Sequence, residues 1–186
     1  MRSPLIETGR LSLAPFTAAD AGAVHDYCQD PELQRWVPLP VPYSRADAEY
    51  FVGGYATDAA SSPALTLWSI RSEAGVVGAI ELRHEPLASA TVGFWLGQPH
   101  RGRGIMTEAL GALVEYSFEE AGLVLRRLHW ESAVGNIASA TVARRNGFQF
   151  EGVSRRSIIH RGERIDSWQA TLLVDDAREA QPGWPL

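Results

Sequence analysis

The segment Gln98-Pro99-His100-Arg101-Gly102-Arg103-Gly104-Ile105-Met106-Thr107-Glu108-Ala109 decides how this chain is interpreted. It joins an extended apolar run at residues 91–96 to a run of helical periodicity that begins at Ile105. Gly102 and Gly104 permit a positive φ and a close approach of the backbone to a ligand. The helix that follows directs its free N–H groups to the same point. The segment predicts a phosphate-binding turn, although such an Arg-Gly stretch is also typical of a solvated surface turn.

The class of phosphate ligand follows from the spacing of the glycines. A dinucleotide fingerprint fails because Thr107 stands where its third glycine belongs, and no G-x-x-x-x-G-K-[ST] motif occurs in the chain. Residues 101–106 instead resemble the R-x-x-G-x-[G/A] pyrophosphate motif of the GNAT N-acetyltransferases. Met106 stands where Gly or Ala is usual, and the Ile-Met pair is similar to that of the RimJ/RimL branch, the ribosomal-protein N-acetyltransferases.

A second motif begins at Asn136 and ends at Gly147-Phe148, followed by Glu151-Gly152. It resembles the N-x-x-[AS]-x(7)-G-F signature of the same family. An asparagine at a helix N-cap and a serine three residues later project from one end of one turn, so an amide and a hydroxyl can reach one ligand. Taken alone, the same pair is typical of a local cap in which Ser139 bonds the first turn. Two such motifs in the family's order favour the ligand interpretation.

The resemblance implies an α+β fold with a mixed, mostly antiparallel, splayed sheet flanked by helices. It also implies that acetyl-CoA enters between the strands at Thr91–Leu96 and Arg127–Glu131, and leaves as CoA. The pyrophosphate would rest on backbone amides of the turn and the pantetheine would follow the first of these strands. The implied cofactor-binding residues are Phe94, Trp95, Leu96, Arg101, Gly102, Arg103, Gly104, Ile105, Met106, Thr107, Asn136 and Ser139.

Acetyl transfer to an amine needs a base, an oxyanion donor and an acid. Ala143 occupies the place where many relatives carry a tyrosine acid, and Ser139 matches the serine thought to serve in RimL-like enzymes. A backbone N–H near Leu96 would be the oxyanion donor. Thr91 replaces a frequent glutamate, so the base is left open among Glu81, His84 and Glu85.

The composition bounds the class of protein. A chain of 186 residues with net charge −5 suits one globular domain and argues against a general nucleic-acid binder. Cys28 is the single cysteine, which excludes an intrachain disulfide and a cysteine-based zinc site, and the five histidines show no metal spacing. The N-terminal stretch lacks a secretory signal, and no apolar stretch is long enough to span a membrane. We therefore expect a cytoplasmic protein without a metal, nucleic-acid or membrane partner.

Turn and cap signals predict the order of elements within a single domain spanning residues 1–186. Capping boxes at Thr17 and Ser44 begin helices that run to about Cys28 and Asp58, with a further helix between them. Hairpins are expected around residues 72–75 and 160–163, and Gly122 is expected to end the helix that starts at Ile105. The core spans about residues 10–175, and residues 176–186 are expected to be a loosely held tail.

Two functions are compatible with these residues. The first is an acetyl-CoA-dependent N-acetyltransferase that transfers acetyl directly, in a ternary complex, to a protein N-terminus or a small amine. The second is a non-catalytic acyl-CoA-binding or interaction module, which Ala143 and Thr91 favour. Trp36, beside a proline-rich loop, is a candidate wall of the acceptor pocket, and a homodimer is suggested by resemblance alone.

Overall fold

The computed structural model describes residues 3–186 and contains an eight-stranded sheet in the order β1-β2-β3-β4-β5-β6-β8-β7. Met1 and Arg2, part of the N-terminal stretch used to argue against a signal, lie outside the described residues. Neighbouring strands are antiparallel except β5 and β6, which are parallel. The predicted α+β class is confirmed. The strands are β1 (Ile6–Glu7), β2 (Ser12–Ala14), β3 (Leu65–Ser72), β4 (Gly75–Glu85), β5 (Ser89–Leu96), β6 (Arg127–Ala133), β7 (Gln149–His160) and β8 (Glu163–Leu173).

Helices cover both faces of the sheet. On one face, α5 and α6 pack on the main core, which includes the fully buried Leu110 and Leu113. On the other face, the short helices α1 to α4 build two smaller clusters over β3 and β4. Within residues 3–186 no helix combines the length and apolar character needed to cross a bilayer. The helices are α1 (Ala21–Tyr27), α2 (Pro31–Trp36), α3 (Arg45–Tyr50), α4 (Ala56–Ser61), α5 (Ile105–Phe118) and α6 (Ile137–Arg145).

The parallel pair β5 and β6 separates partway along its length. The two strands pair only from Ser89 opposite Arg127 to Val92 opposite Trp130. Beyond that point β5 stays with β4 as far as Leu96, and β6 stays with β8 as far as Ala133. The sheet therefore opens between β5 and β6, where the resemblance implies that the cofactor enters.

Most helices begin where local sequence patterns predict. The capping boxes at Thr17 and Ser44 are both formed. The helix predicted from Ser44 to about Asp58 runs on to Ser61 and contains a π-helical stretch, Phe51–Tyr55. A Cβ on Gly54 would lie 2.6 Å from ring atoms of Tyr50, so the glycine permits close packing within this stretch. The π-helical stretch brings Phe51 and Tyr55 into a stacked pair 5.5 Å apart.

The end of α5 differs from the prediction. The helix ends at Phe118 rather than near Ala121, and Gly122 does not take the left-handed conformation of a C′ glycine. Its role is steric, because a Cβ there would lie 1.8 Å from the Tyr116 carbonyl. Gly147, with φ of 89°, does end α6 in the left-handed conformation.

The C-terminal segment, residues 174–186, runs back across α6 and β7. Arg144 Nε donates to the Gln181 carbonyl (3.0 Å), and the Trp184 indole N–H donates to the Phe148 carbonyl (3.2 Å). The Trp184 ring packs against Trp130 and Phe150, with both centroid distances at 5.4 Å. A loosely held tail remains a prediction about dynamics, and these contacts argue for firm attachment.

Candidate active site

The phosphate turn, residues 101–107, has the backbone that its glycines predict. Gly102 and Gly104 adopt left-handed conformations with φ of 74° and 73°. Gly104 is the N-cap of α5, and the first hydrogen bond of that helix runs from the Glu108 N–H to the Gly104 carbonyl (3.0 Å). The N–H groups of residues 105–107 therefore precede the helical ladder and point out of the helix end, where they can bind an anion.

Two side chains of the turn pack into the main core. Ile105 and Met106 are both buried there, at 8% and 6% exposure. A Cβ built on Gly102 meets nothing within 4 Å among residues 3–186. These residues would thus contribute backbone amides to a ligand, as the sequence predicts.

Arg101 makes contacts that the sequence did not anticipate. Its Nη2 lies 2.6 Å from Oδ2 of Asp30, and its Nε donates to the Leu96 carbonyl (3.1 Å). The Asp30 carboxylate also caps α2 by accepting from the N–H groups of Glu32 and Leu33. Arg101 therefore links the phosphate turn to α2 on the other side of the cleft.

Arg10 supports the turn from outside. Its guanidinium pairs with Glu108 (Nε to Oε2, 2.7 Å) and donates to the Arg103 carbonyl (3.4 Å). The Thr8 hydroxyl donates to the same carboxylate (2.6 Å). The Thr8 hydrogen bond and then Arg10 lower the pKa of Glu108. Glu108 is therefore held as an anion near the start of α5, where a negative charge interacts favourably with the helix dipole.

The β5 edge offers further N–H donors. The Gly97 N–H donates to the Val77 carbonyl (2.9 Å), and in an antiparallel ladder such bonded pairs alternate with unbonded ones. By this alternation the N–H groups of Phe94 and Leu96 face away from β4, into the opening beside β6. The Trp95 side chain lies on the face of the sheet that α1 to α4 cover, where it packs near Phe51 (6.3 Å between ring centroids).

Asn136 and Ser139 begin α6 on the far side of the opening. Asn136 Oδ1 accepts from the Ser139 N–H (3.2 Å), and its Nδ2 donates to the Ser132 hydroxyl (3.0 Å). The asparagine side chain is thus occupied as a helix cap, which is the local interpretation of the motif. The Ser139 side chain lines the cleft, while Ala143 is fully buried one turn later.

Glu81 lies in the cleft on the face opposite the main core. Its carboxylate accepts from the Tyr55 hydroxyl (3.0 Å) and pairs with Arg83 (2.6 Å). Burial and then the Glu81 charge raise the pKa of Tyr55 to about 12, so the phenol stays a proton donor to Glu81. A Cβ on Gly93 would approach Glu81 Oε1 to 3.3 Å, so the glycine leaves the carboxylate room beside β5.

His84 and Glu85, the other two candidate bases, do not line the cleft. Strand alternation puts His84 on the face opposite Glu81, where it bonds the Thr66 hydroxyl (2.8 Å) and burial lowers its pKa. Glu85 lies at the end of β4 and accepts from Thr91 (2.6 Å) and Ser89 (3.2 Å). Its pKa is lowered, first by the Thr91 bond. We remove both from the set of candidate bases.

Glu131 lines the cleft and was missed by sequence reasoning. It directly follows Trp130, which pairs with Val92, so Glu131 lies across the opening from Gly93. Its Oε1 accepts from Ser167 (2.8 Å) and Gln169 (2.7 Å). Glu81 and Glu131 therefore flank Gly93 on the same face of the sheet. The pairing of β6 with β5 identifies Glu131 as a residue of the cleft, and the sequence alone did not reveal that pairing.

Aromatic rings form the acceptor wall, a set of six residues on the α1 to α4 side of the cleft. Trp36 lines the cleft as one of this set, and its indole N–H donates to Glu32 (2.6 Å). The tip of the β7–β8 hairpin closes over this side, with Arg161 donating to the Gln34 carbonyl (2.5 Å). The wall and the phosphate turn open onto a continuous cleft of about 1080 Å³. The wall comprises Trp36, Tyr43, Tyr50, Phe51, Tyr55 and Trp95.

Comparison with known proteins places this geometry in a family. Residues 10–149 match the model of the acetyltransferase (GNAT) domain. The chain belongs to the GNAT acetyltransferase family. The sequence-based resemblance is thereby confirmed, and the GNAT assignment accounts for both motifs and for the opening between β5 and β6.

Relatives of this GNAT protein carry acetyltransferase names. It is 38% identical over 93 residues to the ribosomal-protein-serine acetyltransferase of Escherichia coli, covering 49% of this chain and 51% of that protein. It is 26% identical over 172 residues to the uncharacterized N-acetyltransferase YnaD of Bacillus subtilis, covering 92% and 98%. The chain spans about half the length of the first curated relatives that it matches.

A solved structure shares the whole GNAT fold. The ribosomal L7/L12 alpha-N-protein acetyltransferase RimL, in complex with coenzyme A, superposes with a TM-score of 0.81 at 25% identity. The match covers 92% of this chain and 99% of RimL. The superposition therefore extends beyond residues 10–149, into parts of the chain outside the matched domain.

Proposed function

We propose that this protein is an acetyl-CoA-dependent N-acetyltransferase that acts on a primary amine by direct transfer in a ternary complex. One observation carries the proposal: the phosphate turn and two carboxylates, Glu81 and Glu131, open onto the same cleft. A bound thioester and an ammonium group can therefore meet where β5 and β6 separate.

The cleft suits acetyl-CoA in length and chemistry. The turn offers successive N–H groups at a helix N-terminus for the pyrophosphate. The Phe94 and Leu96 N–H groups face the opening and match an amide-bearing pantetheine chain. RimL, the similar structure, contains coenzyme A, which supports the same ligand here.

Acetyl-CoA supplies the activated acetyl group, and attack by a neutral amine forms a C–N bond and breaks the C–S bond. Glu81 or Glu131 accepts the proton of the acceptor ammonium, directly or through water. A β5 backbone N–H near Leu96, free of the pantetheine, stabilises the tetrahedral oxyanion. Ser139 gives a proton to the departing thiolate, taking the role that Ala143 leaves vacant, and regains one through water from the acylated nitrogen, which loses its second proton.

The acceptor is a primary amine that carries an apolar or aromatic group. The acceptor wall supplies ring surfaces, and Glu32, Glu81 and Glu131 give this side of the cleft acidic groups that attract an ammonium. Relatives named for ribosomal-protein acetylation support a protein N-terminus as one such acceptor. A small amine is the other class to test.

The decisive experiment incubates the protein with acetyl-CoA and a panel of N-terminal peptides and small amines. Free thiol release and the intact mass of each acceptor report transfer. The enzyme is expected to release CoA in proportion to a 42 Da gain on one acceptor, about the mass that acetylation adds. A protein that is thermally stabilised by acetyl-CoA but releases no thiol with any amine would instead be the binding module.

Location and assembly complete the proposal. A cytoplasmic location agrees with a single, buried thiol, which needs no oxidising compartment. The homodimer suggested by resemblance stays a prediction, and light scattering coupled to size-exclusion chromatography measures it directly.

A further inference from the structure

The Ser139 hydroxyl is bonded to a buried indole. Trp130 Nε1 donates to Ser139 Oγ at 3.1 Å, and Trp130 is 1% exposed. Trp130 is the last residue of β6 that pairs with β5. The bond therefore lies at the point where the two strands separate and the cleft begins.

This bond decides what the serine can do with its own proton. An indole N–H is a donor only, while a hydroxyl has one proton and two acceptor sites. With Trp130 on one acceptor site, the Ser139 proton must point elsewhere, and no acceptor within residues 3–186 receives it. The same N–H stabilises the negative charge that grows on Oγ as the proton leaves.

Trp130 is itself held from behind by the C-terminal segment. The Trp184 ring lies 5.4 Å from Trp130 at an angle of 57°. Its position is fixed by the hydrogen bond to the Phe148 carbonyl and by the contact with Phe150. The two indoles thus form a tilted pair, and the inner one donates to the Ser139 oxygen.

We infer that Trp130 is a positioning residue for Ser139, and that Trp184 keeps Trp130 in place. The inference rests on the proposed function, in which Ser139 protonates the thiolate. Trp130 touches neither reacting atom in this account. It orients the hydroxyl and increases its acidity, so its effect must pass through Ser139.

Steady-state kinetics of Trp130→Phe test this dependence. The variant keeps a large ring and loses the donor, so kcat is expected to fall about 10-fold with KM for acetyl-CoA unchanged. Trp68→Phe is the matched control, because Trp68 is fully buried in the same sheet and donates to the Pro4 carbonyl (2.8 Å). That control should change stability by a similar amount and leave kcat unchanged.

A double-mutant cycle separates positioning from packing. In a Ser139→Ala background, Trp130→Phe and Trp184→Leu should cause no further loss of kcat. Equal losses in both backgrounds would show that Trp130 acts by packing alone and would overturn the inference. Unchanged turnover of Trp130→Phe in the parent background would overturn it as well.

An NMR measurement remains informative even when no amine is acetylated. With ¹⁵N-labelled tryptophan, Ser139→Ala should shift the Trp130 indole resonance and speed its hydrogen exchange, leaving Trp68 unaffected. A Trp130 resonance that does not respond contradicts the inference without reference to activity. If the Trp130 resonance responds but the protein releases no thiol, the Trp130–Ser139 contact is supported and only the proposed function is rejected.

Discussion

Arg101 and Asp30 form an ion pair across the cleft, with Nη2 and Oδ2 separated by 2.6 Å. The arginine begins the phosphate turn and the aspartate begins α2, which carries Trp36 and Glu32 on the acceptor side. Both side chains are largely shielded from water, at 33% and 16% exposure. The pair therefore gives the two halves of the site a common support.

Asp30→Asn tests this support, because asparagine is also a good N-cap and should keep α2 intact. The variant is expected to bind CoA about 3-fold to 10-fold more weakly, with little change in Tm, since a charge-assisted hydrogen bond to Arg101 is lost. Calorimetric titration with CoA measures it. Asp30→Ala, which also removes the cap, should lower Tm in addition. Equal CoA affinity in wild type and Asp30→Asn would show that the pair is only structural.

Gly104→Val should abolish measurable CoA binding while the fold survives. A β-branched side chain does not tolerate a φ of 73°, so the turn must rearrange and displace the N–H groups that would bind the pyrophosphate. Gly75→Val in the β3–β4 turn is the control, since Gly75 has φ of 91° and lies far along the chain from the turn. Calorimetry should show normal affinity for the control. Unchanged affinity in Gly104→Val excludes the turn as the binding site.

Ser139→Ala is expected to lower kcat about 10²-fold, the usual scale for loss of a general acid, with CoA affinity retained. The Asn136 cap uses the Ser139 backbone, so α6 should keep its start. Ser61→Ala, which removes a hydroxyl from α4, serves as the control. Full turnover in Ser139→Ala would mean that water protonates the thiolate.

Glu81 and Glu131 should share the work of the base. Each single substitution to Gln is expected to cost well under 10²-fold in kcat, and the double variant more than either. With an α-amine acceptor of pKa about 8, the pH–rate profile should follow the acceptor. A thousandfold loss from Glu81→Gln alone, with both substrates still bound, would make Glu81 the dedicated base.

Cys28 should be unreactive in the folded protein. Burial raises the pKa of its thiol to about 11, against a smaller opposing effect of its hydrogen bond with Tyr43. At pH 8 only about 10⁻³ of the thiol is then ionised, so iodoacetamide labelling should be very slow and should accelerate in urea. Intact mass spectrometry follows the label. An acetylated Cys28 after exposure to acetyl-CoA alone would contradict direct transfer.

The features predicted from sequence are those set by local chemistry. Gly102 and Gly104 predicted a left-handed turn, and Thr17 and Ser44 predicted capping boxes. Residues 72–75 predicted a hairpin. Each of these features depends on a few neighbouring residues. Period-two alternation also contained a signal that went unused. Residues 81 and 84 of one strand must face opposite sides of a sheet, which separates Glu81 from His84.

The features that escaped prediction depend on partners distant in the chain. Glu131 lies in the site because β6 pairs with β5 up to Trp130 opposite Val92. The register between two parallel strands cannot be read from the sequence of either strand. Arg101 was expected on the cofactor, yet its guanidinium reaches Asp30, 71 positions earlier. The π-helical stretch at Phe51–Tyr55 likewise reflects how Tyr50 packs over Gly54.

The strand order β6-β8-β7 has a consequence for synthesis of the protein in the cell. Strand β7 leaves the ribosome before β8, yet β8 is the strand that joins β7 to β6. The outer third of the sheet can therefore form only after β8 has been translated. Trp184 follows β8 in the chain, so the contact of its indole with Trp130 forms only after β8 has been made. A chain arrested before β8 should thus lack acetyl transfer, even with its phosphate turn already folded.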